Sequence, residues 1–150
     1  MKTSVLKQFF DGGCDSAALA KDLEGTTVQT SLDVQRHRMN DDLDAEYEVS
    51  PDHLVKVCDA FLAGEITPQM IEEIGFGMIA SEHFSWDTDM IPGAYVAETL
   101  HDWAAPEVNY RISNETISKF RHYLLTGERT FTCEDMEDRV SADRTREWTP

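Results

Sequence analysis

The sequence predicts a mainly α-helical single domain, a helical bundle with a minor extended or β element near residues 26–49. Two observations carry this prediction. Four segments between residues 50 and 127 repeat apolar residues at helical spacing, and Ser or Thr, twice followed by Pro, marks where three of them begin. Residues 26–34 (TTVQTSLDV) are instead rich in β-branched residues, which favour extended backbone. The 150 residues suit one domain, and we expect residues 128–150 to form a loosely attached tail.

Two short helices are expected before this extended element. Residues 3–10 place apolar side chains at helical spacing, and the Asp-Gly-Gly that follows ends the run. Residues 16–25 (SAALAKDLEG) predict a second helix, with Ala18, Leu19 and Leu23 directed inward. Beyond the extended element, residues 38–46 are polar and acidic and predict a loop, while residues 45–49 predict a second short strand.

A well-marked helix is predicted from Pro51, because Ser50 can cap it and proline is favoured at the first helical position. Its apolar stripe consists of Leu54, Val57, Cys58, Phe61 and Leu62. Gly64 supplies the end of the helix. Thr67 and Pro68 repeat the same starting device, and the short connection predicts that the two helices form an antiparallel hairpin.

We expect the helix that begins at Pro68 to be the central one, because residues 68–84 are apolar on most sides. Ile71, Ile74, Gly75 and Met78 define its inner face. Gly75 and Gly77 lower helix stability, so we expect them to permit close packing by a neighbour. Glu82 would fall on the inner face if the helix continued that far, so we expect the helix to end near residues 80–82.

Two further helices complete the bundle. A turn is expected at residues 88–93, followed by a helix over 94–103 and another over 114–127 that Ser113 caps. Their predicted inward-facing side chains are Val96, Leu100, Trp103, Ile117, Phe120 and Leu124.

The charge is the strongest compositional signal. Twenty-nine acidic residues oppose 13 basic ones, which gives a net charge of −16. Lys56 is the only basic residue between residues 51 and 100. Such a field repels nucleic acid and anionic membranes and attracts basic partners. Solubility, or adaptation to a salty environment, remains an alternative explanation of the acidity.

The three cysteines indicate a reducing compartment, because they are few, far apart and form no Cys-x-x-Cys pair. The first residues contain no apolar run typical of a signal peptide, and no stretch approaches the length of a membrane span. We therefore expect a cytoplasmic protein without a membrane partner.

Residues 81–89 (SEHFSWDTD) collect the side chains most typical of a site. One alternative function is an enzyme with a carboxylate–histidine site, with or without a metal, built from Glu82, His83 and His101. The spacing matches no zinc or calcium pattern, so we expect neither a metal nor a cofactor and assign no catalytic residue. The end of a helix, pinned to the core by its aromatic residues, explains the same segment without a site.

A second alternative is a small regulator of the helix-turn-helix type. Residues 16–25 would supply its first helix, and Arg36, His37 and Arg38 would be its basic residues. The net charge opposes DNA binding, and the leading prediction excludes a nucleic-acid partner.

The leading prediction is an acidic module that binds a basic protein. No Lys or Arg occurs between Lys56 and Arg111, so the acidic residues in this interval are not neutralised by sequence neighbours. Clustered exposed carboxylates would raise the rate of association with a basic partner. The predicted partner-binding residues are Asp87, Asp89, Glu98, Asp102 and Glu107.

Residues 61–75 (FLAGEITPQMIEEIG) resemble the opening of small bacterial immunity proteins of the colicin D type. These are acidic helical proteins in which a first helix ends in a Phe-Leu-x-Gly-x-Ile-like turn into a second. The resemblance implies a toxin-neutralising inhibitor that occupies the basic substrate cleft of a ribonuclease, in the manner of a nucleic-acid mimic. It assigns no individual binding residue.

Overall fold

A computed structural model of the chain describes residues 1–24, 27–29, 35–37 and 39–136. The fold is mainly helical with a small β element, as predicted. The helices are α1 (Thr3–Asp11), α2 (Ser16–Leu23), α3 (Pro51–Leu62), α4 (Pro68–Ala80), α5 (Ile91–Ala104) and α6 (Asn114–Thr126), with a 3-10 turn at Cys133–Asp135. The strands are β1 (Thr27–Gln29), β2 (Gln35–His37), β3 (Tyr47–Glu48) and β4 (Phe84–Ser85).

Two helix pairs form the centre of the bundle: α4 packs against α5, and α3 packs against α6. Helices α3 and α4, predicted to form an antiparallel hairpin, touch each other only slightly. The inner face of α4 is instead covered by α5. The predicted inner residues Ile71, Ile74 and Met78 are fully buried there.

Glycine permits the close approach of α4 to α5, as predicted. A Cβ atom on Gly75 would lie 2.9 Å from the backbone nitrogen of Ala104 and 2.9 Å from Trp103 Cβ. A Cβ atom on Gly77 would overlap the end of the Met1 side chain, so the N-terminus of the chain packs at this point of α4.

Several predicted details are corrected. Helix α5 begins at Ile91 within the predicted turn, because Pro92 is tolerated in the first turn of a helix. Ala18, predicted to face inward, is exposed, whereas Leu19 and Leu23 are buried. Leu62 is 37% exposed at the end of the α3 stripe. Helix α4 ends at Ala80, as the position of Glu82 predicted.

The β element consists of two separate pairs. Strands β1 and β2 are antiparallel, and β3 and β4 are parallel, with Tyr47 opposite Phe84 and Glu48 opposite Ser85. The predicted strands at 26–34 and 45–49 are thus found at 27–29 and 47–48, while residues 26 and 30–34 lie outside the described residues.

Residues 128–136, the first part of the predicted tail, contact α6 and the segment before it. Phe131 stacks on Tyr110 with ring centroids 4.3 Å apart. Asp135 Oδ2 lies 2.6 Å from Lys119 Nζ. Residues 137–150 lie outside the described residues. Among the described helices, none is long and apolar enough to cross a membrane.

Thr99 provides a test of the packing of α5. Its side chain is fully buried, and its hydroxyl has no hydrogen-bond partner among the described residues. Valine has the same shape without the hydroxyl, so we expect Thr99→Val to raise the free energy of unfolding by about 1 kcal/mol in urea denaturation.

Thr116→Val is the matched control. The Thr116 hydroxyl donates to the Arg111 carbonyl at 2.6 Å and accepts from the Ser113 N–H at 3.0 Å, so this change should lower stability by about 1–2 kcal/mol. A loss of stability in both variants would contradict the account of Thr99.

Candidate functional site

The two faces of the β3–β4 sheet differ sharply in chemistry. Because successive side chains of a strand point to opposite faces, Tyr47 and Phe84 face inward and pack in an edge-to-face pair 5.9 Å apart. The outer face carries an open groove of ≈ 570 Å³. We call it the acidic groove, and it is lined by Glu46, Glu48, Ser85, Trp86 and Asp87.

The groove offers three carboxylates beside one aromatic ring. Within the described part of the chain, no lysine or arginine forms an ion pair with Glu46, Glu48 or Asp87. Asp87 Oδ1 accepts the Asp89 N–H at 3.0 Å, which fixes the turn before α5. Trp86 is half-buried. Carboxylates attract a cation, and an indole face adds a cation–π attraction, so the arrangement suits lysine or arginine side chains.

Asp41 anchors the chain just before β4, which lines one side of the acidic groove. Its Oδ1 accepts from Ser81 Oγ at 2.8 Å and from Thr3 Oγ1 at 3.0 Å, and its Oδ2 accepts from the Glu82 N–H at 2.9 Å. One side chain therefore joins α1, the loop before β3 and the chain between α4 and β4. Partial burial opposes the ionisation of Asp41, but these hydrogen bonds outweigh it and hold its pKa below the usual range.

The predicted binding residues extend from the turn before α5 to just beyond its end. Asp87 and Asp89 are exposed at the start of α5, whereas Glu107 is exposed beyond its end. Since α5 has 14 residues, about 21 Å of helix separates them. Burial, with the charges of Glu107 and Glu73, raises the pKa of Glu72 on α4 to about 7. Glu107 does not line the groove.

Glu98 and Asp102 have a counter-charge that the sequence did not indicate. Arg129 Nη1 lies 3.1 Å from Glu98, and Arg129 Nη2 lies 3.6 Å from Asp102. Glu98 also accepts a hydrogen bond from the Tyr123 hydroxyl. The side chain of Asp102 is only 17% exposed. The prediction considered only sequence neighbours, and Arg129 is close to these two carboxylates in space but remote in sequence.

Glu82, His83 and His101, the residues of the carboxylate–histidine alternative, do not form one site. His83 Nδ1 lies 3.0 Å from Asp41 Oδ2, within ion-pair distance but without hydrogen-bond geometry. Glu82 and His101 are exposed, and neither Glu82 nor His83 lines the groove. In the described ranges, no three His, Cys, Asp or Glu side chains are placed to hold a metal ion.

Among the described residues that follow the first helix of the helix-turn-helix alternative, 27–29 form strand β1. Residues 35–37, which contain Arg36 and His37, form strand β2. Arg38 lies outside the described residues.

Sequence reasoning missed Glu46 and Glu48 as site residues, although a signal for them was present. The predicted strand over 45–49 alternates Glu-Tyr-Glu, so an inward tyrosine directs both glutamates outward. Their position next to Trp86 depends on the parallel pairing of β3 with β4, which joins segments 37 residues apart.

Comparison of the chain with protein-family models, curated proteins and solved structures finds no match. The likeness of residues 61–75 to immunity proteins stays a prediction. Those residues span the end of α3, the connection at 63–67 and the first part of α4.

Proposed function

We propose that this chain is an acidic protein-binding module that receives a basic, extended segment of a partner protein in the acidic groove. One observation carries the proposal: Glu46, Glu48 and Asp87 converge around Trp86 without a counter-cation from the described chain. Lysine and arginine side chains of a partner would supply both the positive charge and the cation–π contact that the described residues do not provide at this groove.

The open shape of the groove favours a polypeptide over a small molecule. Small-molecule sites are concave, mostly apolar and bury most of their ligand, whereas this groove is open and three of its five lining residues are carboxylates. The net charge of −16 disfavours nucleic acid. A basic segment that crosses the outer face of the sheet can instead reach all three carboxylates.

A basic nuclease is the most specific partner that we propose. It combines the charge complementarity of the groove with the toxin-neutralising role that the resemblance of residues 61–75 implies. The free cysteines Cys14, Cys58 and Cys133 suit the reducing cytoplasm, which is where we place the complex.

The decisive variant neutralises the groove without changing its shape: Glu46→Gln, Glu48→Gln and Asp87→Asn together. Partners captured from the source cells at low salt are identified by mass spectrometry, and the affinity of the main basic protein is then measured for both chains. We expect about tenfold weaker binding by the variant, since three exposed ion pairs of roughly 0.5 kcal/mol each are lost.

A second triple variant, Glu24→Gln, Glu65→Gln and Glu134→Gln, changes the net charge equally at exposed positions outside the groove. It should bind within about twofold of the wild type in 0.15 M salt, because charges more than a Debye length away are screened. If both triple variants weakened binding equally, the loss of affinity would follow from the net charge alone, and the groove would not be the binding site.

A further inference from the structure

His53 lies where β3 passes into α3, on the opposite side of the sheet from the acidic groove. Its ring stacks on Phe10 with centroids 4.9 Å apart and lies 5.3 Å from the Tyr47 ring. Phe84 of β4 closes the same cluster. A change at His53 therefore acts directly on the residues that anchor the sheet.

The hydrogen bonds around His53 define its protonation state. The Ser50 N–H donates to His53 Nδ1 at 3.0 Å, and a backbone N–H can only donate, so Nδ1 carries no proton. Tyr47 Oη donates to the Asp11 carboxylate at 2.7 Å and lies 3.2 Å from His53 Nε2. Because the Tyr47 proton is directed at Asp11, Nε2 must carry the proton that Tyr47 Oη accepts.

A second proton on this imidazole would break one specific contact. Protonated Nδ1 would face the Ser50 N–H, so two donors would meet where a donor and an acceptor now pair. The Ser50 hydroxyl oxygen, 3.4 Å from Nδ1, could accept the new proton, but it does not restore the partner of the Ser50 N–H. That pair is half of the capping box that starts α3. The Nε2 bond to Tyr47 and the stacking on Phe10 are compatible with a charged ring, so the change is confined to the cap.

Burial of the His53 ring favours its neutral form and outweighs the nearby carboxylates. Burial lowers the pKa of His53 and Lys56 acts in the same direction, whereas Asp11 and Asp52 oppose them. Lys7 lies over the Tyr47 ring, 5.9 Å from its centroid, and β4 contributes only Phe84. The folded-state pKa of His53 lies below the unfolded value of about 6.5. The stability that neutral His53 contributes is therefore complete above that pH and is lost as the pH falls towards the folded-state pKa.

We propose that His53 is a pH sensor: its protonation opens the N-terminal cap of α3 and loosens residues 46–49, which connect that cap to the acidic groove. Mild acidification would in this way alter the groove while the helical core stays intact. The consequence for partner binding rests on the proposed function, but the opening of the cap does not.

The test uses the full-length free chain, so its result is independent of any partner. Long-range 1H–15N spectra give the tautomer of each histidine, and amide spectra from pH 7.5 to 5 follow Ser50 and Tyr47. We expect the Nε2–H tautomer at His53, amide shifts of Ser50 and Tyr47 that share the midpoint of the His53 titration, and a roughly tenfold loss of protection of the Ser50 amide.

Two variants separate His53 from other titrating groups. His53→Gln keeps an acceptor for the Ser50 N–H and does not titrate, so the transition should disappear. His83→Gln removes the other histidine near the β3–β4 sheet and should leave the transition unchanged. An Nδ1–H tautomer, a transition that persists in His53→Gln, amides that do not follow His53, or loss of far-UV helical signal at the same midpoint would each overturn the proposal.

Discussion

Replacement of Gly93 by Ala is expected to lower the free energy of unfolding by about 3 kcal/mol. Gly93 is buried in the first turn of α5, where the chain doubles back on Asp87. A Cβ atom there would lie 2.8 Å from the Asp87 nitrogen, 2.5 Å from its carbonyl carbon and closer still to its oxygen. Backbone atoms cannot rotate away, so the turn and α5 must separate. Urea denaturation measures the loss.

Gly77→Ala is the control for this prediction. Its Cβ would meet the flexible end of the Met1 side chain, which can adopt another rotamer. Alanine also favours a helix interior by up to about 1 kcal/mol over glycine. We expect the stability of Gly77→Ala to lie within about 1 kcal/mol of the wild type, and similar losses in both variants would show that the Asp87 contact is not the cause.

Asp41→Ala is expected to lower the free energy of unfolding by about 3 kcal/mol. The change leaves the Ser81 hydroxyl and the Glu82 N–H without their acceptor, while the Thr3 hydroxyl loses its shortest bond and keeps Asp42 Oδ1 at 3.2 Å. The loss is smaller than the sum of three bonds to a charged group, because the Asp41 side chain is 19% exposed and water replaces part of the interaction. Asp44→Ala, at an exposed neighbouring carboxylate, should change stability by less than about 0.5 kcal/mol.

The contribution of Asp41 also has a defined pH dependence. Its pKa in the folded chain lies below the usual range, so the unfolded chain takes up the proton first as the pH falls. The contribution is therefore complete above about pH 5 and is lost as the pH falls below about 4, through the folded-state pKa. The difference in stability between the wild type and Asp41→Ala should shrink from pH 6 to pH 3. An undiminished difference would contradict the role of the ionised carboxylate.

The parts of the fold that follow from local chemistry could be predicted from the sequence. The Ser-Pro and Thr-Pro starts of α3 and α4, and the buried stripes on α4, α5 and α6, agree with the structure. These features depend on neighbours within one or two helical turns. The end of α4 was predicted in the same way, from the cost of burying Glu82.

The contacts between distant segments could not be predicted in this way. The partner of α4 is decided by the close approach of α5 to Gly75, and the local pattern contains no sign of that partner. Likewise Arg129 compensates Glu98 and Asp102 only because residues 128–136 fold back onto the bundle. The predicted binding surface was therefore placed along α5, whereas the carboxylates that have no ion pair within the described residues lie together at the β3–β4 sheet.

The central claim is that the acidic groove receives a basic segment, and amide mapping by NMR tests it most directly. A short extended peptide that alternates arginine with small residues is titrated into the labelled chain. The account predicts the largest shifts at residues 46–48 and 85–87, including the Trp86 indole N–H, and their loss in the Glu46→Gln, Glu48→Gln, Asp87→Asn variant. Largest shifts at residues 98–107, or an unchanged map in that variant, would contradict it.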